Sequence, residues 1–68
     1  METIDCRGLS CPEPVVRTKK ALKAHPEGCI VVVDDRAASE NVPRFAKASG
    51  YKVDSAFKDG EWTLKIEK

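Results

Sequence analysis

Two hydrophobic periods run through this chain, and they change over at glycines and prolines. In the last third, Tyr51, Val53, Ser55 and Phe57 alternate with Lys52, Asp54, Ala56 and Lys58. Trp62, Leu64 and Ile66 then alternate with Glu61, Thr63, Lys65 and Glu67. A period of two puts each set on its own face of a strand. Asp59-Gly60 between the runs is a hairpin signal, because a two-residue turn of the favoured hand needs residues tolerant of positive φ. One face of the hairpin is apolar and the other charged, so helices are expected on one side of the sheet only. On this pattern Phe57 and Trp62 are core residues. Upstream, Ile30 to Val33 is a continuous β-branched run, a strand covered on one or both faces, ended by Asp34-Asp35. A short first strand is expected from about Glu2 to Cys6, with Ile4 and Cys6 on one face.

The helical period occupies the two remaining stretches. The first runs from about Pro12 to Ala24, with Pro12 and Pro14 in the first turn, where no intrahelical N–H is needed. Val15, Thr18, Ala21 and Leu22 form its inner stripe, and Arg17, Lys19, Lys20 and Lys23 its basic outer surface. The second starts within Ser39 to Asn41 and ends at Ser49, with Gly50 suited to the left-handed closing position. Pro43 leaves either Ser39 or Asn41 as its cap. The element order is βαβαββ, an α/β two-layer sandwich. No repeat, linker or low-complexity stretch divides the chain, so residues 1–68 form one domain.

Composition narrows the function. At 68 residues, a domain buries only about 60% of the surface its unfolded chain exposes. A deep enclosed active site is therefore not expected, and chemistry belongs near the surface. A formal charge of +1 argues against direct nucleic-acid binding, which normally needs a strong basic excess. The longest apolar run, Cys29 to Val33, is too short for a membrane span. The acidic start Met1-Glu-Thr-Ile-Asp lacks the apolar region of a secretory signal. Three cysteines without such a signal fit a reducing cytoplasm better than a disulfide framework. Their scattered spacing lacks the pairing of a zinc site, and no metal or cofactor is expected.

The chemistry concentrates in Asp5-Cys6-Arg7-Gly8-Leu9-Ser10-Cys11-Pro12-Glu13-Pro14, which joins the first strand to the first helix. Cys11 falls at the N-cap or N1 position, where unpaired N–H groups and the positive end of the helix dipole favour an anion. Its thiolate should form more readily than that of a free cysteine, and a persulfide, R–S–S⁻, gains from the same field. Arg7 would add positive charge and Glu13 opposes it. Gly8 lets the loop turn tightly, and Pro12 and Pro14 stiffen the first turn so that the sulfur points outward.

Cys11-Pro12-Glu13-Pro14, preceded by Arg7-Gly8-Leu9 and followed by Val15, Lys19, Lys20, Ala21 and Leu22, resembles the TusA family of sulfur carriers, also called SirA-like. The resemblance extends through Pro26-Glu27-Gly28, Asp34-Asp35, the Pro43/Phe45 segment and the terminal hairpin. It implies a four-stranded mixed sheet with two helices on one face, the fold shared with the C-terminal domain of translation initiation factor three. It implies a sulfurtransferase in which Cys11 accepts sulfane sulfur as a persulfide and passes it on, as a stoichiometric relay or with turnover. The donor would be a cysteine desulfurase, a rhodanese-like protein or thiosulfate, and the acceptor a protein thiol. Some family members work beside membrane transporters. Two alternatives stand beside carriage: a thiosulfate-processing domain working with a membrane importer, and a regulatory or interaction domain whose thiol is incidental.

Cys6 and Cys29 depart from many members of the family. Cys6 reads first as core, because it shares a face with Ile4, and second as a resolving thiol for Cys11. Cys29 opens the buried strand and reads as structural, and His25 reads as a helix-end residue. Arg17, Lys19, Lys20 and Lys23 form either a solvated face or a docking surface for an acidic partner. Asp34 and Asp35 either cap the second helix or join the docking rim.

Overall fold

The β-branched run around Ile30 to Val33 becomes the second strand of the sheet and lies at its centre. The computed structural model describes residues 1–10 and 12–68. In chain order the elements are β1 (Thr3–Asp5), α1 (Glu13–Ala24), β2 (Gly28–Val33), α2 (Arg36–Ala48), β3 (Lys52–Lys58) and β4 (Glu61–Glu67). The four strands lie in the order β1-β2-β4-β3. β1 runs parallel to β2, while β4 is antiparallel to both β2 and β3, so the sheet is mixed.

The register puts the apolar positions into rows on one face. Val53, Ile66 and Cys29 are aligned, as are Ser55, Leu64, Val31 and Ile4, and then Phe57, Trp62 and Val33. Thr18, Ala21 and Leu22 of α1 and Ala38, Val42 and Ala46 of α2 are buried over this face. Fully burying a side chain such as Leu64 or Ile66 contributes about 1.5–3 kcal/mol, and these two lie at the middle of the core. The other face presents Lys65, Thr63 and Asp54 to solvent. One-sided coverage by two helices matches the pattern read from the hairpin.

Turn chemistry fixes the strand ends. Asp59 and Gly60 have φ of 54° and 79°, the positive pair that joins β3 directly to β4. Helix α2 closes with Gly50 N–H donating to the Lys47 carbonyl and Tyr51 N–H to the Ala46 carbonyl, both at 3.0 Å. Gly28 opens β2 at φ 130°, where a Cβ would collide with the Ile66 carbonyl oxygen. That close approach lets β2 and β4 pair to their ends.

Two expectations are corrected. Helix α2 begins at Arg36, not within Ser39 to Asn41, and Pro43 lies inside it. The cap is Asp35, whose carboxylate accepts from Ala38 N–H at 3.0 Å. An interior proline costs about 3 kcal/mol. The helix continues through it because Ala38, Val42 and Ala46, spaced by four, are all fully buried. Phe57 is not a core residue, since it is 61% exposed. Alternation correctly puts it on the helix side of the sheet, but β3 is an edge strand. The helices cover its start at Val53 and leave Ser55, Ala56 and Phe57 open. Trp62, one strand inward, is half-buried against the core.

Candidate functional site

Parallel pairing of β1 with β2 sends both strands toward the same end of the sheet, and each is followed there by a helix. The β1–α1 loop lies at that end, with the tip of the β3–β4 hairpin beside it. The site is built from Arg7 to Ser10 and Pro12 to Pro14. Cys11, the residue that the sequence singles out, lies outside the described residues.

Local rules explain most of the loop. Cys6 N–H still donates to the Val32 carbonyl at 2.8 Å, extending the ladder one residue past β1. The chain then turns, with Leu9 N–H on the Cys6 carbonyl at 3.3 Å and Gly8 at φ 77°. A side chain at Gly8 would meet nothing within 4 Å, so glycine is favoured there by backbone conformation and not by crowding. Leu9 packs against the core and Ser10 is exposed.

Two long-range contacts then fasten this turn. Gly8 N–H donates to Asp34 Oδ1 at 2.9 Å, tying the loop to the end of β2. Arg7 donates from Nε and Nη2 to the two oxygens of Asp5, both at 2.9 Å, and from Nη1 to Glu61 Oε2 at 3.2 Å. The Arg7 fork holds the Asp5 carboxyl down at a pKa of about 2, and its own pKa is pushed up by the same two carboxylates. This alters the role expected for Arg7. Its charge is engaged by Asp5 and Glu61, and these contacts fasten the loop.

The helix start also differs from expectation. Pro12 occupies the N-cap, with φ −97° and ψ 6°, where Cys11 was expected at the N-cap or N1. Pro12 and Pro14 have no N–H to offer. Glu13 N–H donates to the Ser10 carbonyl at 3.0 Å. The start of α1 therefore acts on an anion mainly through its dipole, worth about 0.3–1 kcal/mol at an exposed position. Pro14 is fully buried and its carbonyl accepts from Thr18 Oγ1 at 2.8 Å. The carboxylate of Glu13 reaches Arg17 at 3.7 Å, so its opposing charge is partly met within α1.

The other candidates are dispersed. Cys6 and Cys29 are free thiols, each 0% exposed. Burial pushes the pKa of both upward, which disfavours their thiolates. Their placement as core agrees with the pattern, and that of Cys6 runs against its second reading as a resolving thiol. Arg17, Lys19, Lys20 and Lys23 are exposed along α1, leading away from the loop. Asp35 is the α2 cap and Asp34 the anchor of Gly8. His25 is the C-cap residue of α1, within 3.9 Å of Glu2 and 3.8 Å of Glu27. Glu61 was not singled out by the sequence, and its only signal is a place beside the hairpin turn. Among the described residues no cavity opens and no group of three or more metal-ligating side chains converges. No described helix is long and apolar enough to cross a membrane.

A mixed four-stranded sheet with two helices on one face, with Pro12-Glu13-Pro14 opening the first helix, defines a small two-layer α/β domain whose candidate site is a surface loop. The family described as Sulfurtransferase TusA matches residues 2–68, and the chain belongs to that family. Its relatives include a Methanocaldococcus jannaschii protein named "Putative sulfur carrier protein", 47% identical over 78% of this chain and 73% of that one. A Neisseria meningitidis protein of the same name is 35% identical over 97% of this chain and 93% of its own. The crystal structure of a SirA-like protein from Desulfitobacterium hafniense superposes with a TM-score of 0.91 at 37% identity. That match covers 98% of this chain and 96% of the other. Family and relatives together indicate a sulfur carrier with a general role in sulfur transfer.

Proposed function

We propose that this protein carries sulfane sulfur as a persulfide on Cys11 and hands it to the thiol of an acceptor protein. The observation that carries the reading is the burial of both other thiols. With Cys6 and Cys29 sealed in the core, Cys11, in the family's motif, is the thiol left for chemistry. Loading is thiol exchange. The Cys11 thiolate attacks the terminal sulfur of a donor persulfide, the donor S–S bond breaks, and the donor thiolate leaves with the electron pair. Thiosulfate serves by the same displacement, with sulfite leaving. Discharge repeats the exchange on an acceptor thiolate, which takes the terminal sulfur and returns Cys11 as thiolate. No net oxidation occurs in either step.

The donor class is a cysteine desulfurase, a rhodanese-like protein or thiosulfate, and the setting is the cytoplasm. Arg7, Gly8, Pro12, Glu13 and Pro14 hold the thiol-bearing segment, and the exposed row from Arg17 to Lys23 meets acidic surface on a partner. The chain needs neither metal nor cofactor for this exchange. The test is intact mass after incubation with a persulfide donor or with thiosulfate. One sulfur atom should be added to the native chain and none to Cys11→Ser, with unchanged thermal stability. An adduct that persists in Cys11→Ser would remove Cys11 from the mechanism. Loading from thiosulfate releases one sulfite per chain, so sulfite released well beyond one equivalent by the isolated chain, with a small thiol present to discharge Cys11, would mark thiosulfate processing instead of carriage alone.

A further inference from the structure

At the hairpin tip Trp62 is half-buried against the core, while the ring stacked beside it, Phe57, has no role in the fold that accounts for its exposure. Phe57 and Trp62 face each other across β3 and β4 with ring centroids 4.7 Å apart and planes tilted by 47°. Phe57 is 61% exposed, so its ring adds little to the core. The pair continues the row that includes Val33, at the end of the sheet where the β1–α1 loop lies. Strands are spaced by about 4.8 Å, so three strand steps put Phe57 about 15 Å from the end of β1. A partner surface of ordinary size, about 800 Å² per side, covers both features at once.

Charge at this end identifies what the pair would meet. Asp5, Glu13, Asp34, Asp35, Asp59 and Glu61 all belong to this end. Against them stand Arg7, Arg36 and Lys58, with Arg17 one turn into α1. The end is therefore net acidic in a chain whose formal charge is +1. Aromatic faces beside a carboxylate excess favour guanidinium groups, which stack on the rings and pair with carboxylates. We propose that Phe57 and Trp62 dock a basic, arginine-bearing segment of the protein that exchanges sulfur with Cys11. The site rests on the sulfur-carrier reading for its purpose, but not for its recognition chemistry. It is separate from the basic row along α1 and opposite to it in charge.

Trp62 is the single tryptophan of the chain, so its fluorescence reports directly on this surface. The probes are two synthetic five-residue thiol peptides, one flanked by arginines and one by glutamates, with serine analogues for the binding measurement. The arginine serine peptide should quench Trp62 in a salt-sensitive manner, and the glutamate one should not. The arginine thiol peptide should also accept sulfur from the loaded full-length chain about fivefold faster, an advantage lost in Phe57→Ser. Phe57→Ser should lower the melting temperature by only a few degrees, the loss of one exposed ring contact with Trp62, and leave the chain folded. Equal transfer to both peptides without quenching would overturn the docking site and leave sulfur carriage standing. Quenching confined to the arginine peptide and abolished by Phe57→Ser would support the site even if neither peptide accepted sulfur, an outcome that would count against carriage alone.

Discussion

Helices α1 and α2 begin at the same end of the sheet, yet their starts are built in opposite ways. At α2, Asp35 has an extended backbone, φ −98° and ψ 128°, and its carboxylate takes the Ala38 N–H. The positive end of that helix is answered from within the chain. At α1, Pro12 holds the N-cap with no side-chain cap, and the next residues supply few free donors. The capped start belongs to the architecture. The uncapped one leaves its dipole for whatever anion the adjoining segment carries, which suits a thiolate or persulfide. The loop before the uncapped start compensates by long-range anchoring, through Asp34 on Gly8 and Glu61 on Arg7.

The largest break in this comparison should come from Gly8→Ala. A left-handed backbone costs a residue with a Cβ about 1–2 kcal/mol, and denaturant unfolding should show that loss, with Gly8→Asn milder. Asp35→Ala should cost about 1 kcal/mol, a fall in melting temperature of about 4–8 °C for a domain this small. Alkylation of Cys11 by iodoacetamide should be unaffected by Asp35→Ala. The reverse exchange, Pro12→Asp, gives α1 a carboxylate cap and puts a negative charge beside the thiol. Alkylation at neutral pH should slow by about fivefold, and an unchanged rate would detach the helix start from thiol reactivity.

The smallest effect is a pH response of the anchor. Arg7 lowers Asp5 from 3.8 to about 2. The folded state thus holds this proton more weakly than the unfolded one, so the contribution is present above 3.8 and is lost as pH falls through about 2. The Asp5 side-chain carboxyl carbon resonance should move with a midpoint near 2. Arg7→Lys, which cannot make the two-pronged contact, should shift that midpoint upward.

The β strands of the hairpin, the closing of α2 and the burial of Cys29 were all legible because each depends on a local rule. The start of α2 departs from the sequence pattern because proline is common in a first helical turn, and Pro43 by that rule marks one. The better signal was the spacing of Ala38, Val42 and Ala46, which continues straight through Pro43. For Phe57 the face was right and the burial wrong. Alternation tells which side of a sheet a residue occupies and says nothing of how far the covering helices reach. Glu61 went unnoticed because its partner Arg7 is 54 residues away in sequence.

By itself, then, the amino-acid sequence determined the element order, the hairpin, the covered face and the segment in which the proposed sulfur-carrying cysteine lies. Those follow from periodicity and turn chemistry, which act over a few residues. Tertiary structure decided which charges fasten the loop, that Arg7 is engaged by Asp5 and Glu61, and that Phe57 stands open at the hairpin tip while Trp62 is half-buried. Each of those depends on strand order and helix reach, which bring together groups that no local pattern relates.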